Sequence, residues 1–137
     1  MTNQEYEKLK TISNNIRKHI INSASVNIPY HFGGSFSIIE ILSYFYYKEI
    51  DLSKEKSRRN TFILSKGHAC YALYSLFFEF GYISFKELCN YKKIGCRLQG
   101  HPDMKGTPGV EMSTGSLGQG FSVACGMAMA SKLDNAP

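Results

Sequence analysis

Apolar and polar residues alternate along the first part of the chain with the period of an α-helix. The pattern predicts one amphipathic helix from about Gln4 to Ser23 and a second from Ser37 to Lys48. The apolar positions of the first helix are Leu9, Ile12, Ile16, Ile20 and Ile21. Those of the second, which are predicted to share one face, are Ile38, Ile41, Leu42 and Phe45.

A short apolar run, NTFILS from Asn60 to Ser65, includes β-branched residues and lies between polar neighbours. Such a run is typical of a buried strand. A helix is predicted directly after it, from about His68 to Phe80, and Gly81 is its natural stop. A strand followed by a helix indicates an α/β layer. Since GVEMS is the one other strand candidate, we expect the opening part of a doubly wound domain with an incomplete sheet.

The second half of the chain places a long irregular segment between two helices. Ser84 and Glu87 predict a capping box at the start of a short helix. The glycine- and proline-rich segment KKIGCRLQGHPDMKGTPGVEMSTGS follows, and such segments inside compact domains are usually functional. A last helix is predicted from Leu117 to about Leu133. Its flank carries small residues, which are Gly120, Ala124, Gly126, Ala128 and Ala130.

The composition fits one globular domain and a small anionic ligand. The chain has 137 residues, of which 43% are hydrophobic and 20% charged, as in an ordinary soluble domain. No apolar run reaches bilayer-spanning length, and the polar N-terminus is not a secretory signal, so we expect a cytosolic protein that binds no membrane. The net charge of +5 is scattered, and its one cluster, Lys54 to Arg59, includes Glu55. This distribution favours small anions over nucleic acid.

The four cysteines, Cys70, Cys89, Cys96 and Cys125, have spacings that match no disulfide framework of small secreted domains. We interpret them as thiols in a reducing compartment. A zinc site formed by His68 with the first three cysteines is an alternative, but the spacing fits no known short ligand pair.

Three of the four histidines lie in glycine-rich surroundings, namely His31 in YHFGGS, His68 in SKGHAC and His101 in QGHPD. Glycine next to histidine removes side-chain bulk, so a ligand can approach the imidazole and the neighbouring backbone. One such histidine would be explained by ordinary loop structure, whereas three in a short chain favour a shared pocket. The fourth, His19, lies within the first predicted helix and is interpreted as a surface or boundary residue.

Two segments are candidates for binding an anion at the start of a helix. At SKGH, His68 lies where the predicted strand turns into a helix, and the free N–H groups of helix starts attract anions. At STGSLGQG the glycines follow neither the P-loop nor the dinucleotide-binding pattern. For both segments the alternative is structural: Gly67 permits a tight turn, and the loop glycines permit a closely packed helix. No nucleophile with its base and no acid pair is evident, so a cofactor would carry the chemistry.

Taken in order, these motifs resemble transketolase, a thiamine-diphosphate enzyme. The resemblance rests on HFGGSFSIIEIL, LSKGHACYALY, LQGHPDMKGTPGVEMSTGSLGQG and ACGMAMASKLD and covers nearly the whole chain. It is greatest to the N-terminal, diphosphate-binding subunit of split bacterial and archaeal transketolases. It implies that residues 1–137 are part of an α/β, doubly wound cofactor-binding domain that is rich in helices and has few strands.

The resemblance implies a cofactor site around two of the motifs. The histidine of SKGHA, which is His68, would contact the diphosphate of thiamine diphosphate. The backbone of the glycine-rich loop would pack against the cofactor through Gly115, Ser116, Leu117 and Gly118.

The other two histidines are implied catalytic residues at the substrate end of the site. His101 would reach the substrate hydroxyls near the reacting carbon, and His31 would lie over the substrate and the diphosphate. The family usually has SGHPGGS where this chain has PYHFGGS. Tyr30 replaces a glycine and Phe32 a proline, which implies a narrowed or altered substrate end.

The resemblance implies partners for the chain. The magnesium ligands of the family, a Gly-Asp-Gly motif and a later asparagine, follow the next strand, and we expect them outside a chain that ends at Pro137. The activating glutamate lies on the other domain or subunit. We therefore expect a component of a dimeric or larger transketolase that acts on phosphorylated sugars with a C-terminal, pyrimidine-binding subunit. The alternatives are an inactive fragment that at most binds a partner, and the related deoxyxylulose-phosphate synthases.

Overall fold

The structure, a computed structural model, describes residues 1–24, 31–55 and 58–136. Its α-helices in these ranges are α1 (Asn3–Ala24), α2 (Phe32–Phe36), α3 (Ile39–Lys48), α4 (Cys70–Glu79), α5 (Phe85–Cys89) and α6 (Gln119–Asp134). A 3₁₀ turn, Gly67–Ala69, leads directly into α4. Within the described ranges, no helix combines the length and the apolar character needed to cross a membrane.

The core is built around α4, which is buried on all sides from Cys70 to Phe77. A helix that is apolar all round has to be covered by other elements, and α1 and α3 both pack on it. The predicted stripe of α1 is confirmed at its centre, because Ile12, Ile16 and Ile20 are buried. Its edge differs, since Ile21 is 60% exposed.

The predicted buried face of α3 is wrong in part. Ile39, Leu42, Ser43 and Tyr46 point into the core, whereas Ile41 and Phe45 are exposed. The buried set is spaced by three and four residues, as a helix face requires. The small Ser43 belongs to it because its hydroxyl forms a buried hydrogen bond of 3.0 Å with Ser13 of α1.

Helix ends follow the sequence signals closely. Gly81, which has a φ of +78°, follows the end of α4, a backbone conformation that glycine adopts without strain. The capping box of α5 is confirmed, since the Ser84 hydroxyl accepts a hydrogen bond from the Glu87 amide and the Glu87 carboxylate accepts one from the Ser84 amide.

The predicted strands are not observed in the part of the chain that the structure describes. Residues 60–64 and 109–113 have no ladder partner and no regular secondary structure, so the expected α/β sheet is not observed there. A strand requires hydrogen bonds from a neighbouring segment, and the elements around residues 60–64 are helices. The burial part of the prediction is confirmed at Leu64, which is 4% exposed.

The long segment between α5 and α6 is irregular but held by many hydrogen bonds. The Asp103 carboxylate accepts hydrogen bonds from the Lys105 amide at 3.0 Å and the Ser113 hydroxyl at 3.2 Å. Thr107, which is buried, donates from its hydroxyl to the Arg97 carbonyl at 2.6 Å. These bonds give the segment a defined path.

Candidate functional site

The chain turns sharply after Leu64, and this turn begins the candidate site. Gly67 is the first residue of the 3₁₀ turn, and its α-carbon lies against Thr114 and Gly115. A Cβ at Gly67 would lie 2.8 Å from the carbonyl oxygen of Thr114 and 3.0 Å from the amide nitrogen of Gly115. The corner at SKGH and the glycine-rich loop are therefore in direct contact.

His31 and His68 meet at this corner. Their ring centroids are 5.4 Å apart, and the rings are nearly perpendicular, at 77°. His31 is exposed at the start of α2, and His68 is half-buried in the 3₁₀ turn. Gly34 of α2 lies against the His68 ring, because a Cβ there would be 2.7 Å from Cδ2.

The glycine-rich loop is fixed at both of its ends. At the first end, the buried Thr114 donates from its hydroxyl to the Leu64 carbonyl at 2.7 Å. At the other end, Gly120 of α6 packs so closely on Ser65 that a Cβ would lie 2.8 Å from the Ser65 α-carbon. The Ser65 hydroxyl also accepts a hydrogen bond of 3.2 Å from the Phe121 amide.

Two kinds of glycine occur in these motifs. Gly67 and Gly120 each allow a second backbone segment to approach closely. For Gly120 this is the close helix packing given above as the structural alternative. Gly118 differs: its φ is +86°, it precedes α6, and a Cβ there would meet nothing within 4 Å. A positive φ favours glycine whatever the space around it.

His101 lies on the other side of the glycine-rich loop. A Cβ at Gly115 would be 3.6 Å from Cδ2 of the His101 ring. The His101 carbonyl accepts a hydrogen bond from the hydroxyl of Tyr74 at 3.2 Å, so the core helix α4 holds its backbone. Burial is the main cause that raises the pKa of Tyr74, so this phenol remains protonated and can donate. The imidazole itself is exposed.

The glycine-rich loop presents free backbone amides next to a helix start. Among the described residues, no acceptor receives the N–H groups of Ser116, Leu117 or Gly118, and all three residues are exposed. They directly precede the N-terminus of α6, a sixteen-residue helix whose dipole adds partial positive charge there. Consecutive free amides at a helix start are what a phosphate group binds.

Sequence reasoning missed three residues that build this geometry. Ser65 and Thr114 join the corner to the loop through the hydrogen bonds given above. Lys66, whose ammonium donates to the Ser37 hydroxyl at 2.6 Å, connects the corner to the end of α2. The motif SKGH contains the lysine, but nothing in the local pattern indicates that Ser37 is its partner.

The zinc alternative has no support in the part of the chain that is described. No group of three or more histidine, cysteine or acidic side chains is arranged there to bind a metal ion. The Cys70 thiol is buried and lies 3.3 Å from the Gly100 carbonyl, to which it donates. Burial raises the pKa of the Cys70 thiol, which disfavours the thiolate that a metal would need.

Two residues next to His31 differ from the usual family sequence, Tyr30 and Phe32. Tyr30 lies outside the described residues. Phe32 is the first residue of α2 and is 45% exposed. Its ring is 6.2 Å from that of Phe36, edge to face. Phe32 therefore presents an apolar surface directly beside His31.

A separate cleft of 780 Å³ lies between α3, residues 60–63 and α6. Its walls are largely apolar and include Phe45, Phe62 and Met127, and none of the candidate site residues lines it. One side of residues 60–63 is thus open to this cleft.

Comparisons with known proteins show the family of the chain. Residues 10–137 match the family model of the transketolase thiamine diphosphate binding domain. The SqwG subunit of 6-deoxy-6-sulfo-D-fructose transketolase from Clostridium sp. (strain MSTE9) is 41% identical over 110 residues, which are 78% of this chain and 40% of the relative. One of the subunits of apulose-4-phosphate transketolase from Phocaeicola vulgatus is 35% identical over 135 residues, 96% of this chain and 48% of the relative. The chain thus spans less than half the length of either protein.

Solved structures give the same result. Transketolase from Leishmania mexicana superposes on 89% of this chain with a TM-score of 0.71 and 30% identity, over 19% of its own length. The transketolase of Campylobacter jejuni superposes on 96% of this chain, over 21% of its own length, with a TM-score of 0.69 and 30% identity. The chain belongs to the transketolase family, and its residues 10–137 match the thiamine diphosphate binding domain of that family.

Proposed function

We propose that this chain is a component of a transketolase that transfers a two-carbon ketol unit between phosphorylated sugars. The observation that carries the proposal is that two sites meet at Thr114 and Gly115 of one loop with free amides: the corner of His31 and His68, through Gly67, and the ring of His101. Catalysis by such a site consists of binding and orienting, and thiamine diphosphate supplies the carbanion chemistry when it is bound.

The cofactor diphosphate fits the residues at the two corners. His68 can donate a hydrogen bond to a diphosphate oxygen, and the amides of 116–118 can donate to a second oxygen. Lys66, one residue before the 3₁₀ turn, adds positive charge. Gly118 leaves open space above the loop, which allows a ligand to approach its backbone.

The substrate end of the site would lie over His31 and His101, both of which are exposed. An imidazole can donate to or accept from a sugar hydroxyl and can hold a proton near neutral pH. The two relatives are named for sugars that carry a sulfonate or a phosphate. We therefore propose a ketose with a terminal anionic group, and Phe32 as a residue that narrows the access to it.

Other segments would complete the enzyme. We propose that the magnesium ligands are the Gly-Asp-Gly motif and the later asparagine that the family resemblance implies. We also propose that residues 60–64 become a strand of a doubly wound α/β sheet when a neighbouring strand fills the open cleft. Both relatives are named as subunits, which supports a dimeric or larger assembly with a C-terminal, pyrimidine-binding partner. A cytosolic location remains a prediction.

Reconstitution tests this proposal. The chain is combined with a diphosphate-domain fragment that carries the metal ligands and with a pyrimidine-binding subunit, and ketol transfer is measured with thiamine diphosphate, Mg²⁺ and phosphorylated sugars. Activity that depends on this chain supports the proposal. Activity that is equal without the chain, or absent from a properly assembled complex, contradicts it.

A second candidate, an inactive fragment that binds a partner, is favoured by the apolar surface of α6. Phe121, Met129 and Leu133 are each at least 70% exposed, and large apolar patches mark interaction surfaces. Equal thiamine diphosphate affinities of the complexes with and without this chain would favour that candidate.

The relatives given above are all transketolases, which favours the transketolase branch over deoxyxylulose-phosphate synthases.

A further inference from the structure

Arg59 and Glu111 form a buried ion pair away from the histidines. Nη2 of Arg59 contacts Oε1 of Glu111, and the two side chains are only 9% and 4% exposed. The other ion pairs between carboxylates and arginines or lysines that the structure describes have side chains about 30% exposed or more. Arg59 also donates to the carbonyl of Asn60 at 3.5 Å.

The pair joins the same two segments that meet at the glycine-rich loop. Arg59 directly precedes residues 60–64, and Glu111 lies three residues before Thr114. At the far end of the same segments, the Thr114 hydroxyl donates to the Leu64 carbonyl at 2.7 Å. The two segments are thus connected at both ends, once by charge and once by a hydrogen bond.

A buried ion pair contributes little net stability compared with apolar residues of similar volume, because both charges lose their hydration. What such a pair does contribute is position, because a buried charge that loses its partner is strongly disfavoured. Buried Tyr46 lies close enough that the Glu111 charge adds to burial in raising the pKa of its phenol. If Glu111 lost its contact with Arg59, its unpaired charge would therefore lie in a dry region next to the Tyr46 ring.

We propose that Arg59 and Glu111 are positioning residues that fix the glycine-rich loop against the corner formed by Leu64 to Gly67. With the pair intact, Glu111 and Thr114 hold the start of the loop at two points. Without it, the start of the loop is held at Thr114 alone, and the amides of 116–118 have a less fixed direction. The relevance for cofactor binding rests on the proposed function, whereas the effect on the loop does not.

Amide hydrogen exchange on the whole protein without cofactor tests the proposal. Glu111→Gln removes the charge and keeps the side-chain volume. We expect exchange of the Thr114 and Phe121 amides, which hydrogen-bond to Pro102 and Ser65, to accelerate by about tenfold or more. The amides of Ile16 and Ile20 in α1 report the global stability and should change much less.

Two further variants keep the test decisive. Arg59→Lys retains the positive charge but loses the guanidinium fork, so it should fold and show a smaller acceleration confined to the loop. Glu55→Gln breaks the exposed pair with Arg58, whose side chains are 80% and 75% exposed, and should leave the loop unchanged. Equal acceleration in α1 and the loop, or none in folded Arg59→Lys and Glu111→Gln, would overturn the proposal.

Thiamine diphosphate titration of the reconstituted complex separates this inference from the proposed function. If Glu111→Gln loosens the loop and the wild-type complex binds no cofactor, the positioning role holds and the cofactor proposal fails. If the complex binds the cofactor and the variant does not loosen the loop, the cofactor proposal holds and the positioning role fails.

Discussion

Gly34 of α2 lies directly against the imidazole of His68. A Cβ at position 34 would be 2.7 Å from Cδ2 and 2.8 Å from Nε2 of the ring, which is closer than real Cβ atoms approach other groups. The neighbouring Gly33 has nothing within 4 Å of such a Cβ. The second glycine of HFGGS therefore sets the position of His68, and the first does not.

Gly34→Ala should weaken thiamine diphosphate binding by displacing the His68 ring from the loop. A misplaced hydrogen bond to a charged group costs about 1.5–3 kcal/mol, so the dissociation constant of the reconstituted complex should rise by roughly tenfold or more. Isothermal titration measures it. Gly33→Ala is the matched control and should bind like the wild type. Equal affinities of both variants would show that Gly34 does not act through His68.

Gly120→Ala should destabilise the chain, since the added methyl group would meet the Ser65 backbone at 2.8 Å. Forcing extra volume into a packed contact costs about 1–3 kcal/mol. Urea unfolding of both variants measures the free energy of unfolding. Gly126→Ala in the same helix meets nothing within 4 Å and should stabilise by up to about 1 kcal/mol. The same sign for both variants would contradict the packing role of Gly120.

The contact between α1 and α3 should weaken in acid. The hydrogen bond from Lys48 is the main cause that lowers the pKa of Glu5 from 4.5 to about 2, with the Thr2 amide second. A carboxyl with a lowered folded-state pKa contributes stability that is complete above its ordinary pKa and is lost as the pH falls through the lower value. The free energy of unfolding should therefore fall between pH 4.5 and pH 2, measured by urea unfolding at each pH.

Glu5→Gln should make this decline shallower. In a Lys48→Met background, where the main cause of the lowered pKa is absent, the same substitution should change the decline much less. An identical decline in wild type and Glu5→Gln would show that the ion pair does not report on the α1–α3 contact.

Local signals in the sequence predict the helices well and the sheet poorly. Caps and stops such as Ser84 and Gly81 act within a few residues, so the pattern alone locates them. Which face of α3 is buried depends on α1, a partner distant in sequence, because Ser43 is buried where it hydrogen-bonds to Ser13. A strand depends on a hydrogen-bonded partner strand, and residues 60–64 have no ladder partner among the described residues.

The candidate site shows the same division. Glycine next to histidine indicates which histidines belong to the candidate site. The structure brings His31 and His68 together and places Gly115 beside His101. The residues that join the two segments of the site, Thr114 to Leu64 and Arg59 to Glu111, are ordinary residues in sequence. Their importance comes from contacts between segments some fifty residues apart, which no local pattern encodes.

The diphosphate role of His68 is tested by titrating thiamine diphosphate with Mg²⁺ into the reconstituted complex of wild type and of His68→Ala. A hydrogen bond from the imidazole to a charged oxygen is worth about 1.5–3 kcal/mol. The wild-type complex should bind saturably, and His68→Ala should bind about ten- to a hundredfold more weakly while unfolding at the same urea concentration. Equal dissociation constants for the two proteins, or no saturable binding by an assembled wild-type complex, would contradict a diphosphate site at His68.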